Sequence, residues 1–342
     1  MKIGITYNLK DELSPAAIID SEACEEFDTP ETINAICGVL EKKGHETVKL
    51  GGDLRIIDKI RQEKIDFVFN VAEGYHGRNR EAHIPSILEM MGVPYSGSDP
   101  LTLGLTLDKT ITKKVAAHAG IPVPRYIAVT SLNDLAAAEK RLAYPLITKP
   151  AWEGSSKGIY NSSKVLTRKE LEISIKVLLE KYPGQPVLIE EYIEGREITA
   201  GVIGNDTPEI LGLMEIVNKA NPGADVFYSL ETKRDWRKQV EYASPPKLNR
   251  IFESHIRYRA LLAFREFGCR DIARIDFRIS EKHNRLFMLE VNPLPGLSPE
   301  YADLAIMAKA QGISYDELIV SILKHALSRY KNKKGSLSRE TI

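Results

Sequence analysis

Two neighbouring segments decide the reading of this chain: Ile272-Ala273-Arg274-Ile275-Asp276-Phe277-Arg278-Ile279, and Leu286-Phe287-Met288-Leu289-Glu290-Val291-Asn292 after a short polar linker. Side chains alternate between the faces of a strand. Ile275, Phe277 and Ile279 therefore share one face, and Arg274, Asp276 and Arg278 share the other. In the second segment Phe287, Leu289 and Val291 alternate with Met288, Glu290 and Asn292. The linker Glu281-Lys282-His283-Asn284 predicts a hairpin. The polar faces coincide if the loop is Lys282-His283-Asn284, with Asn284 in a left-handed bulge position. That register sets Asp276 opposite Glu290 and Arg274 opposite Asn292.

Two carboxylates and an amide oxygen facing one another repel unless a cation lies between them. An oxygen-only donor set suits magnesium, which shares its shell readily with phosphates. A solvated sheet face with chance charges is the competing reading. The strict apolar alternation on the other side speaks against it, because it packs the hairpin on a core.

The chain has 342 residues, 43% hydrophobic and 27% charged, which is ordinary for a globular enzyme of two or three domains. A net charge of +0 leaves no electrostatic footprint for nucleic acid or an anionic membrane. Cys24, Cys37 and Cys269 are widely spaced and form no CxxC, so neither a disulfide framework nor a zinc site is expected. No run reaches the ~18 apolar residues of a membrane span. The short apolar run after Met1-Lys2 reads as a first strand, not a signal peptide. The expected compartment is the cytoplasm.

The first third alternates strand and helix, which implies a small parallel sheet. Thr29 and Pro30 open a helix whose apolar stripe is Ile33, Ile36, Val39 and Leu40; Gly44 ends it. Val93-Pro94-Tyr95-Ser96-Gly97-Ser98 breaks the pattern and marks a boundary. A helix from about Asp108 to Ala119 follows. Strands are then expected at 144–150, 186–193, 197–203 and 209–217, and helices near 168–181 and 248–267. A polar loop covers 218–246. These segments divide the chain into residues 1–98, 99–189 and 190–342.

Glu153-Gly154-Ser155-Ser156-Lys157-Gly158 lies between strand signals. Its glycines and serines leave backbone N–H groups free to wrap phosphate oxygens. It is not a Walker loop, and alone such a turn is more often a plain connection. Lys149 ends the adjoining strand. Lys109 opens a helix, a poor place for a cation in the helix dipole. Each lysine alone reads as a surface charge. Together with the loop and the acid pair they describe a nucleoside triphosphate site.

These residues resemble the ATP-grasp superfamily, and within it the D-alanine–D-alanine ligases. The resemblance rests on Leu107-Asp108-Lys109, Lys149-Pro150 with Glu153-Gly154-Ser155-Ser156, Glu190-Glu191-Tyr192-Ile193 with Glu197, Arg274-Ile275-Asp276, and Leu289-Glu290-Val291-Asn292-Pro293 with Pro295-Gly296. Met91-Gly92-Val93-Pro94-Tyr95-Ser96-Gly97 and Gly120-Ile121-Pro122-Val123-Pro124 are similar to that family's domain junctions. The order and spacing hold from about Asp66 to the last helices. The resemblance implies an α/β (α+β) ATP-grasp fold of three domains. The first is a small parallel-sheet domain preceding the two α+β domains that grip ATP.

The resemblance also implies roles. Lys109 and Lys149 would contact ATP phosphates, and Glu153, Ser155 and Ser156 would lie on the phosphate loop. Glu190, Glu191 and Ile193 would line the adenine pocket, and Glu197 would take the ribose hydroxyls. Asp276, Glu290 and Asn292 would hold two magnesium ions, with manganese as a substitute. Arg274 would stabilise a tetrahedral oxyanion with the Gly296 N–H, and Ser155 would support the same centre. His76, Glu81, Lys233, Arg234 and Tyr301 would stand near the substrates. The implied partners are small amino acids or dipeptides, with a homodimer allowed, and the implied pathway is peptidoglycan synthesis for the cell wall.

The match departs on the substrate side. The family's ammonium-binding glutamate falls near Phe27, flanked by Glu25, Glu26 and Asp28. The lid tyrosine falls at Arg234 on the segment 218–246, which also carries Tyr228 and Lys233. The serine for the second carboxylate falls at Tyr301. The departures fit either loop variation or a different amino acid or peptide substrate. A guanidinium at position 234 would favour an added carboxylate. Two other classes compete. A non-catalytic nucleotide-binding protein is disfavoured by the intact acids, Arg274 and both lysines. An oxidoreductase is disfavoured because no GxGxxG follows the first strand.

Overall fold

The computed structural model describes residues 1–10, 22, 24–222, 225–281 and 283–331. The N-terminal part contains β1 (Lys2–Thr6), α1 (Pro30–Lys42), β2 (Glu46–Lys49), α2 (Ile56–Glu63), β3 (Phe67–Asn70), a 3-10 turn at Arg80–Ala82 and α3 (His83–Met90). Its strands form a parallel sheet ordered β2-β1-β3. Thr29 caps α1 by accepting a hydrogen bond from the Thr32 amide, and Pro30 supplies a pre-set φ at the first turn. The predicted stripe Ile33, Ile36, Val39 and Leu40 is buried against Ile3, Ile5, Phe67 and Phe69.

The middle of the chain contains α4 (Pro100–Leu107), α5 (Lys109–His118), β4 (Tyr126–Val129), α6 (Leu135–Glu139), β5 (Leu146–Pro150), β6 (Lys164–Val165), α7 (Arg168–Lys181) and β7 (Val187–Glu191). The strands form an antiparallel sheet ordered β4-β7-β5-β6. All of β7 lies in this sheet.

The remainder contains β8 (Arg196–Gly204), β9 (Glu209–Asn218), α8 (Leu230–Arg234), α9 (Trp236–Gln239), β10 (Val240–Ala243), α10 (Arg250–Glu266), β11 (Asp271–Ser280), β12 (Arg285–Asn292), α11 (Asp303–Ala310) and α12 (Tyr315–Lys331). Its antiparallel sheet runs β10-β9-β8-β11-β12. The segment expected to be one polar loop, 218–246, folds instead into α8, α9 and β10.

The decisive hairpin forms with the expected pairs: Arg274 opposite Asn292, and Asp276 opposite Glu290. Beyond that point the register shifts, Phe277 pairing with Met288 and Ser280 with Arg285. Leu289 is the extra residue of a β-bulge. The bulge moves the core set of β12 to Leu286, Met288 and Val291. It corrects the expected apolar face of Phe287, Leu289 and Val291, and lengthens the loop to 281–284. Asn284 takes the left-handed conformation with φ 48°. The simple alternation ignored the bulge because both readings keep the two acids paired.

Candidate active site

The sheet of β5 and β7 and the sheet of β8, β11 and β12 face each other across a cleft of about 600 Å³, within the range for a bound small molecule. The polar face of β11 and β12 forms one wall. Arg274 Nη2 lies 3.0 Å from Asp276 Oδ2 and 3.4 Å from Glu290 Oε1, and Arg274 Nη1 lies 3.1 Å from Asp303 Oδ2. Asn292 Nδ2 donates to Asp276 Oδ2 at 3.1 Å and to Glu290 Oε1 at 3.3 Å. Burial pushes Asp276 up to about 7, Arg274 opposing it and the charge of Glu290 reinforcing it. Burial acts on Glu290 too, but Lys109, Arg274 and Lys149 outweigh it and hold that carboxyl down at about 2. A divalent cation between them would keep both acids ionised. Among the described residues no group of three or more His, Cys, Asp or Glu could hold a metal. The protein's share of such a shell is therefore two carboxylates and an amide, with the remaining positions left to phosphate oxygens and water.

The opposite wall carries the lysines. Asp108 caps α5 through the Thr110 and Ile111 amides, at 2.9 and 3.0 Å, and its other oxygen accepts from Trp152 Nε1 at 2.9 Å. This cap offsets the cost of Lys109 at the helix start. Lys109 is buried, donates to the Glu153 carbonyl and lies 3.8 Å from Glu290 Oε2. Lys149 Nζ stands 3.1 Å from Glu190 Oε1, which Lys113 Nζ approaches to 3.0 Å. Glu190 is buried, and the two lysines overcome that burial to hold its carboxyl below the usual range. Its side chain thus orders the cations instead of facing the cleft with a free acid. Lys113 escaped the sequence reading. The signal was present, since Lys109 and Lys113 are four apart and share one helix face.

The loop after β5 has Ser155 and Ser156 both in the left-handed region, φ 50° and 60°. Both residues line the cleft, on a loop whose glycine and serines leave little side chain between its backbone N–H groups and an anion. Glu153 is occupied structurally: it accepts from Gln185 Nε2 at 2.9 Å and pairs with Lys157 at 2.5 Å. Glu191 and Ile193 line the cleft beside Leu289, the residue the bulge turns inward. Glu197 also lines it and pairs at 3.1 Å with Arg278, a guanidinium the sequence reading left without a role.

Of the substrate-side residues, Lys233, Arg234, Gly296 and Tyr301 line the cleft. Burial, with Arg274 adding to it, pushes Lys233 down to about 8. Arg234 Nη2 lies 2.7 Å from Glu25 Oε1, so a protein acid supplies its partner. Glu81 lines a smaller cavity of about 70 Å³ that adjoins Arg274, Glu290 and Asn292. His76 is exposed beside Tyr75 and lines neither cavity.

A family model described as the D-ala D-ala ligase C-terminus matches residues 115–324. A D-alanine–D-alanine ligase of Carboxydothermus hydrogenoformans is 37% identical over 301 residues, 85% of this chain and 91% of that one. The chain belongs to the D-alanine–D-alanine ligase family. A crystal structure of the D-alanine–D-alanine ligase from Bacillus anthracis, complexed with ATP, superposes with a TM-score of 0.75 at 25% identity, covering 97% of this chain and 99% of that chain. An uncharacterized protein of Sinorhizobium fredii, y4sG, is 33% identical over 305 residues, 87% of this chain and 88% of that one. This D-alanine–D-alanine ligase-family protein is thus an ATP-dependent ligase on an ATP-grasp fold that uses a divalent metal. Among its described residues no helix is long and apolar enough to cross a membrane.

Proposed function

We propose that the protein joins two amino acids through an acyl phosphate, with D-alanine as the reference substrate for both positions. The observation that carries this reading is the convergence of Lys109, Lys149, Arg274, Asp276 and Glu290 on one cleft that the Ser155–Ser156 loop also lines. A carboxylate does not accept an amine, because resonance must be lost and the leaving group is poor. Lys109 and Lys149 orient the ATP phosphates so that the γ-phosphoryl group faces the first substrate's carboxylate. The backbone amides of Ser155 and Ser156 add donors for the phosphate oxygens. Asp276, Glu290 and Asn292 would hold two magnesium ions, or manganese in their place, which would supply neutralisation of the phosphate charge. The second substrate's amine attacks the acyl phosphate carbonyl, and Arg274 and the Gly296 N–H stabilise the oxyanion. Phosphate then leaves.

Glu197 and the backbone of 190–193 take the nucleoside end. The segment 218–246 closes the cleft and excludes water, which would otherwise hydrolyse the acyl phosphate. Its contacts with the opposite wall, Lys233 Nζ to the Ser155 carbonyl and Ser156 Oγ to the Tyr228 carbonyl, both at 3.4 Å, support that role. Arg234 and Tyr301 line the cleft where the family places a tyrosine and a serine, which supports a second reading of the same mechanism, with another amino acid pair in place of two D-alanines. Incubation with ATP, magnesium and pairs of D- and L-amino acids tests both readings. ADP and phosphate release with a dipeptide product supports ligation, and the preferred pair separates the two. Release of no ADP with every pair rejects both.

A further inference from the structure

Glu197 and Arg278 are cross-strand partners on β8 and β11, so the sheet ladder fixes their spacing. Arg278 Nη1 donates to Glu197 Oε2 at 3.1 Å. Nη2 donates to Asp225 Oδ1 at 2.5 Å and to the Val226 carbonyl at 2.6 Å, both on the segment 218–246. It also lies 3.1 Å from the Tyr192 hydroxyl, on the stretch 190–193. Nε has no hydrogen-bond partner among the described residues, so the guanidinium is held by its two terminal nitrogens. Arg278 is buried although it lines the cleft. Burial raises the Glu197 carboxyl and Arg278 opposes that rise, so each group depends on the other for its charge.

Asp225 is the junction on the far side of this guanidinium. It accepts from the Gly195 amide at 3.0 Å and from the Tyr192 hydroxyl, and Lys164 Nζ stands 3.4 Å from it. Two residues on, Phe227 packs edge-to-face on Tyr192 with ring centroids 5.7 Å apart. The closing segment thus starts from the same cluster that frames the nucleoside end of the cleft. A ribose hydroxyl that donates to Glu197 fixes its carboxylate. The fixed carboxylate orients the planar guanidinium bonded to it, and the fork then presents Nη2 to Asp225 and Val226 in one direction. We propose that Arg278 is a positioning residue that makes closure of the segment 218–246 depend on the ribose hydroxyls of the bound nucleotide. The inference rests on the ligase reading, which gives Glu197 the ribose. By linkage the closed segment tightens the nucleotide by the same factor. A nucleotide without those hydroxyls binds but leaves the cleft poorly closed, and the acyl phosphate then meets water.

The test follows backbone hydrogen exchange at residues 226–243 of the full chain, with magnesium and saturating nucleotide. The probes are the β,γ-imido analogue of ATP and its 2′,3′-dideoxy form, with binding of each measured by calorimetry. The imido analogue should slow exchange at least about fivefold and the dideoxy form less than about twofold. Asp225→Asn cuts the link on the segment's side, and Arg278→Lys replaces the fork with a point charge that does not bridge both acids. Both variants should still bind the imido analogue, weakened by about the coupling factor, and should lose the difference between the two nucleotides, which a merely structural defect would not single out. In turnover, phosphate released per dipeptide should rise at least about threefold with 2′,3′-dideoxy-ATP, and by a similar factor in Asp225→Asn with ATP. Equal protection by the two analogues in the unmodified protein overturns the inference whether or not the variants fold. So does a difference that survives in both variants. Failure of the ligase reading appears separately, as no ADP release with any amino acid pair while the imido analogue still binds.

Discussion

Glu26 and Arg80 form a buried forked pair: Arg80 Nη2 lies 2.8 and 3.0 Å from the two Glu26 carboxylate oxygens, and Arg80 Nε adds a third contact at 3.2 Å. Both side chains are 5% exposed. They come from segments 54 residues apart, and with Lys157 they fasten the N-terminal part to the phosphate loop.

Removing one partner strands the other. Glu26→Gln should therefore destabilise the protein by about 3 kcal/mol near neutral pH. Burial acts to raise the Glu26 carboxyl, but Arg80 and Lys157 outweigh it and hold it down at about 2, against an ordinary value of 4.5. A depressed carboxyl contributes stability above its unfolded value and loses it as pH falls through the folded one. The stability gap between the unmodified protein and Glu26→Gln should be constant above pH ~5 and should shrink between pH 4.5 and 2. Chemical unfolding across that range checks it; a gap independent of pH would count against the ionised pair.

Asp276 and Glu290 face each other across one ladder rung, with Arg274 bridging them. Glu290→Gln keeps the shape of the side chain but removes a metal-binding oxygen. We expect turnover, read as ADP release, to fall at least about 100-fold with little change in the unfolding midpoint. Ordinary turnover in this variant would return the acid pair to a structural role.

Lys149 shares Glu190 with Lys113, so one lysine can leave without stranding the acid. Lys149→Ala should weaken ATP binding by about tenfold, the scale of one lost charge-assisted contact, while the fold persists. Calorimetry with ATP measures it, and an unchanged dissociation constant would remove Lys149 from the phosphate site.

Arg234 is 44% exposed and already paired with Glu25. Its contribution should be small, within about 1 kcal/mol in a double-mutant cycle with Glu25→Gln. Because a protein acid balances its charge, Arg234→Tyr should lower activity toward all amino acid pairs alike. A changed ranking of substrates would instead show that Arg234 reads a carboxylate on one of them.

The periodic parts of the chain were legible from sequence because each depends on neighbours a few residues away. The cap Thr29, the helix start near Asp108 and the helix at 168–181 follow from capping chemistry and periodicity; alternation predicts the Asp276–Glu290 pairing through a three-residue loop, and the structure reaches it through a longer loop offset by the bulge at Leu289. The same local logic found Lys109, Lys149 and the Gly/Ser loop. It could not find the bulge at Leu289, since a single extra residue conserves the acid pairing while reversing the apolar face. It could not assign Glu26 to Arg80 and Lys157, or Arg234 to Glu25, because charge pairing acts through space and sequence separation carries no trace of it. The tertiary structure also decided which acids are free. Glu190, Glu153 and Glu197 are met by cations, while Glu73 lines the cleft with no ion pair among the described residues, and only the folded positions of those cations distinguish them.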